Sequence, residues 1–216
     1  MPLRAVFFDV GETLINETRL YHGWADIMGV DRDEFLAVLD DVIARGGSHR
    51  QVFDRLRPGF DVRAAAEERR RTGKDFRIEA RDLYEDARPC LQALAGQGWY
   101  IGIAGNQPRS ARATLQTFDL GARVIATSAE LGVDKPSPDF FGRISELAAI
   151  DPTEILYVGD RVDNDVIPAK QFGMKTVLLE RGPWGRNHAR LPDASLADYR
   201  IKHLSELPAQ LAGILG

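Results

Sequence analysis

Five short apolar runs constrain the fold more than any other feature of the chain: Ala5–Phe8, Tyr100–Ala104, Arg123–Ala126, Ile155–Val158 and Lys175–Leu179. Each is hydrophobic almost without a break. Strands with one wet face alternate apolar and polar residues, whereas parallel strands are covered on both faces and read as continuous. Helical patterns separate the last four runs. Pro108 opens one, with Ala111, Leu115 and Phe118 on one face and Gly121 as its stop. Ser137 and Pro138 supply an N-cap and a first-turn proline for the next, which continues through Phe140, Phe141, Ile144 and Leu147. A third runs from near Asn164 to Gly173, with Pro168 tolerable close to the first turn. The predicted fold class is α/β, a doubly wound parallel sheet.

The gap between the first two runs is far longer than one crossover helix requires. Residues 16–85 are therefore expected to form an insertion, leaving 1–15 and 86–216 as the sheet-bearing core. The insertion reads as all-helical. Asp31-x-x-Glu34 is a capping box ahead of Phe35, Leu36, Leu39, Val42 and Ile43; Gly46-Gly47 ends that helix. Ser48-x-x-Gln51 starts another, which stops at Pro58-Gly59, and Ala64–Arg71 has the mixed charge of a solvated helix. The segment Gly182–Gly185 reads as a turn after the fifth run.

Composition narrows the function. The chain has 216 residues, 44% of them hydrophobic, so it buries a real core. A formal net charge of −4 argues against a dedicated nucleic-acid binder. No apolar run approaches the ~18 residues of a membrane span. Ala5–Phe8 is too short for a signal-peptide core and runs straight into Asp9, so a soluble cytoplasmic protein is expected. Cys90 is the single cysteine, which forbids an internal disulfide or a multi-cysteine zinc site.

Ligands of open α/β sheets bind outside the carboxyl ends of the strands. Those ends present Asp9, Gly105-Asn106, Lys135 and Asp160, and three acids, Asp160, Asp163 and Asp165, crowd together behind the fourth run. Packed carboxylates raise one another's pKa unless a cation neutralises them, and oxygen-only ligands favour a hard ion such as Mg²⁺. A carboxylate nucleophile, a magnesium and a lysine suit attack on a phosphoryl group, where two anions must otherwise meet. Asp163 reads as an exposed loop residue. His22, His49, His188 and His203 lack metal-ligand spacing and read as surface or packing residues. In the insertion, Tyr21, Trp24, His49 and Arg50 are candidates to line a pocket, Trp24 first among them, although aromatic residues of a small helical unit usually form its core.

Four segments, in order, resemble the motifs of the haloacid dehalogenase-like hydrolase superfamily: Phe7–Leu14, Ile101–Asn106, Gly132–Pro136 and Tyr157–Asp165. The resemblance implies a Rossmann-like core with a helical cap inserted after the first motif. It implies an aspartyl intermediate on Asp9, with Mg²⁺ held by Asp9, the Gly11 carbonyl and Asp160, and Asp165 as an outer or water-mediated partner. Lys135 and Asn106 take the catalytic and phosphate-binding places. The pattern is broken twice. Family phosphatases carry a general-acid aspartate where this chain has Gly11, a loss of about 10²–10⁴-fold in rate; Glu12, next along, is the candidate substitute. Gly105 stands where a Ser or Thr hydroxyl meets the phosphate. The leading reading is a Mg²⁺-dependent phosphatase of a small phosphorylated metabolite. Its rivals are a 2-haloacid dehalogenase, which also lacks the second aspartate but works without metal, and a protein that binds a phosphorylated ligand or partner without turnover.

Overall fold

The computed structural model describes residues 2–212 and 214. Its centre is a six-stranded sheet made of β1 (Ala5–Phe8), β2 (Tyr100–Gly105), β3 (Val124–Thr127), β4 (Ile155–Gly159), β5 (Lys175–Leu179) and β6 (Tyr199–Ile201), in the order β3-β2-β1-β4-β5-β6. Every neighbouring pair is parallel. In the register, Phe8 lies beside Ile103 on one side and Val158 on the other, so the residues that follow β1, β2 and β4 emerge at one edge. β3 sits one residue later than the apolar run predicts. β6 has no counterpart among the five runs, because Tyr-Arg-Ile at a sheet edge pairs on one side only and carries too few apolar residues to stand out.

The chain divides into two compact units: residues up to Asn16 together with those from Ile78 onward, and Glu17–Arg77. The second unit holds α1 (Thr18–Met28), α2 (Arg32–Ala44), α3 (Gln51–Leu56) and α4 (Val62–Arg71). The Asp31 side chain accepts the N–H groups of Asp33 and Glu34, which starts α2 and satisfies two otherwise orphaned donors. Phe35 and Phe53 meet edge to face, and Phe60 stacks on Phe53, forming the aromatic centre of this unit. α4 buries none of its residues, in keeping with its run of charges. Residues 78–85, placed in the insertion by the sequence, pack with the first unit instead. Ile15 bridges to Leu83, the Asn16 N–H donates to the Asp82 carbonyl at 2.7 Å, and Ile78, Leu83 and Tyr84 lie against the main core.

The first unit continues through α5 (Ala87–Gly96), α6 (Arg109–Gln116), α7 (Ser128–Leu131), α8 (Pro138–Ala148), α9 (Ile167–Gln171), α10 (Gly182–His188) and α11 (Leu207–Gln210). Alternate residues of a strand face opposite ways, and β1 shows why the sheet needs cover on both sides. Val6 and Phe8 join a core with Cys90, Leu91 and Leu94 of α5, while Ala5 and Phe7 join another with Phe140, Phe141 and Ile144 of α8. Removing one of these phenylalanine rings would cost about 3–5 kcal/mol. α10 replaces the turn expected over Gly182–Gly185; Gly185 lets it pass so close to β5 that a Cβ would fall 2.3 Å from the Leu179 carbonyl oxygen. No helix among the described residues is long and apolar enough to cross a membrane.

Candidate active site

Asp9 leaves β1 with its N–H donating to the Val158 carbonyl at 2.9 Å, which ties the first loop to β4. Lys135 comes from the loop between α7 and α8 and is anchored by its own backbone. Its N–H donates to Asn106 Oδ1 at 2.7 Å, and Asn106 Nδ2 donates to its carbonyl at 2.9 Å. The lysine side chain, only 1% exposed, then reaches inward. Its Nζ lies 2.7 Å from Asp9 Oδ1 and 2.5 Å from Asp165 Oδ1, over the rings of Tyr157 and Phe140. Asp165 enters from a π-helical turn, Val162–Val166, and its Oδ2 accepts the Arg161 N–H at 3.0 Å. Gly159 makes room for it: a Cβ there would sit 2.4 Å from the Asp165 carboxyl carbon.

Asp160 completes the group. One carboxylate oxygen from each of Asp9, Asp160 and Asp165 lies within 4.8 Å of the others. Three buried acids against one lysine leave an excess of negative charge that the protein does not compensate. Burial pushes the Asp9 carboxyl up to about 6, with Lys135 pulling it down and Asp165 adding to the rise. Burial also raises Asp160 well above the usual carboxylate range, and the charges of Asp165, Asp9 and Glu12 add to it. Burial opposes the charge on Lys135, yet Asp165 and Asp9 hold it well above its ordinary pKa. Asp160 Oδ2 is one of the buried polar atoms among the described residues with no hydrogen-bond partner. A donor set of carboxylates around an unpartnered oxygen fits a hard divalent cation.

The remaining sequence candidates fall into three places. Gly105 is pressed against Asp9, since a Cβ would lie 2.5 Å from its Oδ1; a hydroxyl-bearing side chain there would displace the carboxylate. Gly11 lies in the loop after Asp9 and bridges to Ile15. Glu12 is buried, and its Oε2 accepts the Tyr84 hydroxyl at 2.6 Å. Trp24 belongs to the second unit, where its ring meets Phe53 edge to face at 5.2 Å and the Arg69 guanidinium lies 5.8 Å from its centre. Asp163 is exposed and held by Arg161. Among the histidines, His188 is buried, and its Nδ1 accepts the Val162 N–H at 2.9 Å. The sequence reading missed Tyr84 and Gly182, which lie against Glu12, and Arg181, which lies over the Tyr84 ring; only Gly182, a glycine just past an apolar run, leaves any mark in the sequence.

The sequence pattern of the haloacid dehalogenase-like hydrolase family matches residues 3–173. The glyceraldehyde 3-phosphate phosphatase of Methanopyrus kandleri is 29% identical over 95% of this chain and 95% of its own. The crystal structure of a HAD phosphatase from Thermococcus onnurineus covers 99% of this chain and 100% of its own, with 25% identity and a TM-score of 0.62. A 2-haloacid dehalogenase from Pseudomonas syringae shares the fold, with a TM-score of 0.56 and 20% identity over 97% of this chain and 98% of its own.

Proposed function

The chain belongs to the haloacid dehalogenase-like hydrolases, and from that premise we propose that it is a Mg²⁺-dependent phosphatase of a small phosphorylated metabolite. The observation that carries the reading is the unpartnered Asp160 Oδ2 inside a group of three buried carboxylates served by one lysine. A dehalogenase attacks a neutral carbon–halogen bond and would gain nothing from a third buried acid. A phosphatase needs a cation there, and the similarity to two phosphatases over nearly the whole chain supports it.

In this mechanism a carboxylate oxygen of Asp9 attacks phosphorus in line with the leaving oxygen. The P–O bond to the leaving group breaks as the aspartyl phosphate forms, and water then attacks phosphorus to return the carboxylate and release phosphate. Lys135 neutralises charge on Asp9 and on the transferring group, while Asn106 fixes the lysine loop and keeps one amide N–H for a phosphate oxygen. Asp9, the Gly11 carbonyl and Asp160 would hold Mg²⁺, with Asp165 behind them. The ion supplies charge neutralisation where phosphoryl oxygens meet the carboxylates. No proton is routed through Glu12, whose carboxylate is engaged by Tyr84. With Gly11 offering no acid, leaving groups that are stable as anions should react best. The helical unit Glu17–Arg77, which branches from the chain shortly after Asp9, is proposed as the cap that selects the substrate.

A hydrolysis panel of acyl, aryl and alkyl phosphates, run with and without Mg²⁺, tests the reading. Phosphate release should require Mg²⁺ and fall as the leaving-group pKa rises. Turnover that ignores Mg²⁺, or chloride release from 2-chloropropionate, would sink it.

A further inference from the structure

The turn that carries Asp165 opens with backbone donors that its own carbonyls do not take. A helical turn leaves its first N–H groups without partners inside the helix. In Val162–Val166, the Asp165 and Val166 N–H groups donate back to the Arg161 carbonyl at 3.0 and 3.1 Å. Those of Arg161 and Val162 go to side chains instead. Arg161 donates to Asp165 Oδ2 at 3.0 Å, within the site itself. Val162 donates to Nδ1 of His188 at 2.9 Å, a buried bond that spans 26 positions of the chain. On its apolar side the turn is packed independently, with Val162 and Val166 against Leu178 and Ala194.

His188 ends α10, is buried, and meets the Trp184 ring edge to face at 5.4 Å. Trp184 in turn carries the Arg161 guanidinium 3.7 Å from its centre. α10 therefore holds the loop at two successive residues, Arg161 by its side chain and Val162 by its backbone. An N–H aimed at Nδ1 needs that nitrogen without a proton, which puts the ring proton on Nε2. Burial lowers the imidazole pKa and keeps Nδ1 free, against the pull of Asp163. Asp163 Oδ1 lies 3.7 Å from the same nitrogen, beyond hydrogen-bond reach. A buried donor that loses its acceptor is costly, so without His188 the start of the turn would shift to find another. We propose that His188 is a positioning residue for the cation site: its Nδ1 pins the start of the turn, which fixes Asp160, just before it, and Asp165, within it, at the spacing a shared cation needs. This rests on the reading of Asp9, Asp160 and Asp165 as a cation site.

Calorimetric titration of the whole protein with Mg²⁺ tests it, at a temperature where unfolding curves show each variant folded. His188→Phe keeps a ring beside Trp184 and loses the acceptor; affinity should fall about tenfold. His188→Asn loses the ring and places Oδ1 where Nδ1 stood; affinity should stay within about twofold of wild type. A role in packing alone gives the opposite order, with the phenylalanine variant the better binder, and overturns the proposal. So does wild-type affinity in both variants, or an equal loss in both. Should His188→Phe fail to fold, His188→Leu takes its place, since leucine matches asparagine in shape and offers no acceptor. A wild type that binds no Mg²⁺ takes down the cation-site reading and this role with it, whereas a binding wild type with unchanged variants takes down only the role of His188.

Discussion

Asp165 and Asp160 are both 1% exposed and stand on the same loop, yet their surroundings differ in kind. Asp165 has a partner on each oxygen, the Lys135 ammonium on one and the Arg161 N–H on the other. Asp160 keeps an oxygen with no partner at all. The lysine half of the site is finished by the protein, so its groups hold one another in place whether or not anything is bound. The Asp160 half is unfinished, and its desolvation is offset only by something the chain does not supply. Breaking the first half should therefore destabilise the fold, and neutralising the second should stabilise the metal-free protein.

The largest effect is expected from Lys135→Met. It leaves Asp9 and Asp165 buried without their shared cation, a loss of about 3–5 kcal/mol when a buried pair is broken from one side. Hydrolysis should drop by about 10³-fold or more, since the charge that lets an anion approach Asp9 is gone. Urea unfolding and a phosphatase assay measure the two. A variant as stable as the wild type would mean that the lysine half is not self-supporting.

Asp160→Asn should act with the opposite sign on the metal-free protein. Removing one of three crowded carboxylates relieves desolvation and repulsion, so the melting temperature without metal should rise. Binding to the native state alone stabilises by RT ln(1 + [L]/Kd), about 2.7 kcal/mol at a hundredfold excess over Kd. That increment should appear in the wild type with Mg²⁺ and vanish in the variant. If both proteins gain equally from Mg²⁺, Asp160 is not the unfinished side of the site.

The pH dependence sharpens the same contrast. Asp9 has its pKa raised from 3.8 to about 6 by burial, so the folded protein holds that proton more tightly than the unfolded chain. Its contribution to stability is full below about pH 4 and is lost as pH rises through about 6. Asp160, also raised, works in the same direction. Wild-type stability relative to Asp9→Asn, a variant that lacks this titration and the Asp9 charge that helps to raise Asp160, should therefore fall across this window without metal. Mg²⁺ should flatten the fall, because a bound cation favours the ionised carboxylates. A difference that rises with pH in metal-free buffer would contradict the burial of an uncompensated charge.

Why the charged groups of the site are legible in sequence while their supports are not follows from where the signals sit. Asp9, Asn106 and Asp160 each interrupt or follow an apolar run, and such breaks mark strand ends in any parallel sheet. Lys135 and Asp165 stand close behind the third and fourth runs. Tyr84 meets Glu12 across 72 positions, and nothing local marks a tyrosine destined for that contact. Gly159 looks like the end of a strand, and its use, leaving room for the Asp165 carboxylate, exists only once the turn behind it has folded. Trp24 shows the reverse limit. An aromatic residue in a helical insertion reads equally as pocket or core, and only its neighbours Phe53 and Arg69 show what it packs against.

The smallest effect should come from Asp163, the third acid behind β4. It shares the loop with Asp160 and Asp165, and by sequence alone the three are alike. Its side chain is 57% exposed, however, and its oxygens are bonded to the Arg161 guanidinium at 3.0 and 2.6 Å. Exposed pairs of this kind contribute about 0.2–1 kcal/mol, because water screens the attraction and two side chains lose freedom. Arg161 also rests on the face of Trp184, 3.7 Å from its centre, and so keeps a support when the acid is removed. Asp163→Asn should thus lower stability by less than about 1 kcal/mol, within the range of such exposed pairs. Mg²⁺ affinity should stay within about twofold of wild type, because solvent and the paired guanidinium screen the lost charge from Asp160. Calorimetric titration of the wild type and the variant with Mg²⁺ measures it. A loss as large as that of Asp160→Asn would show that Asp163 belongs to the cation site together with the three buried acids.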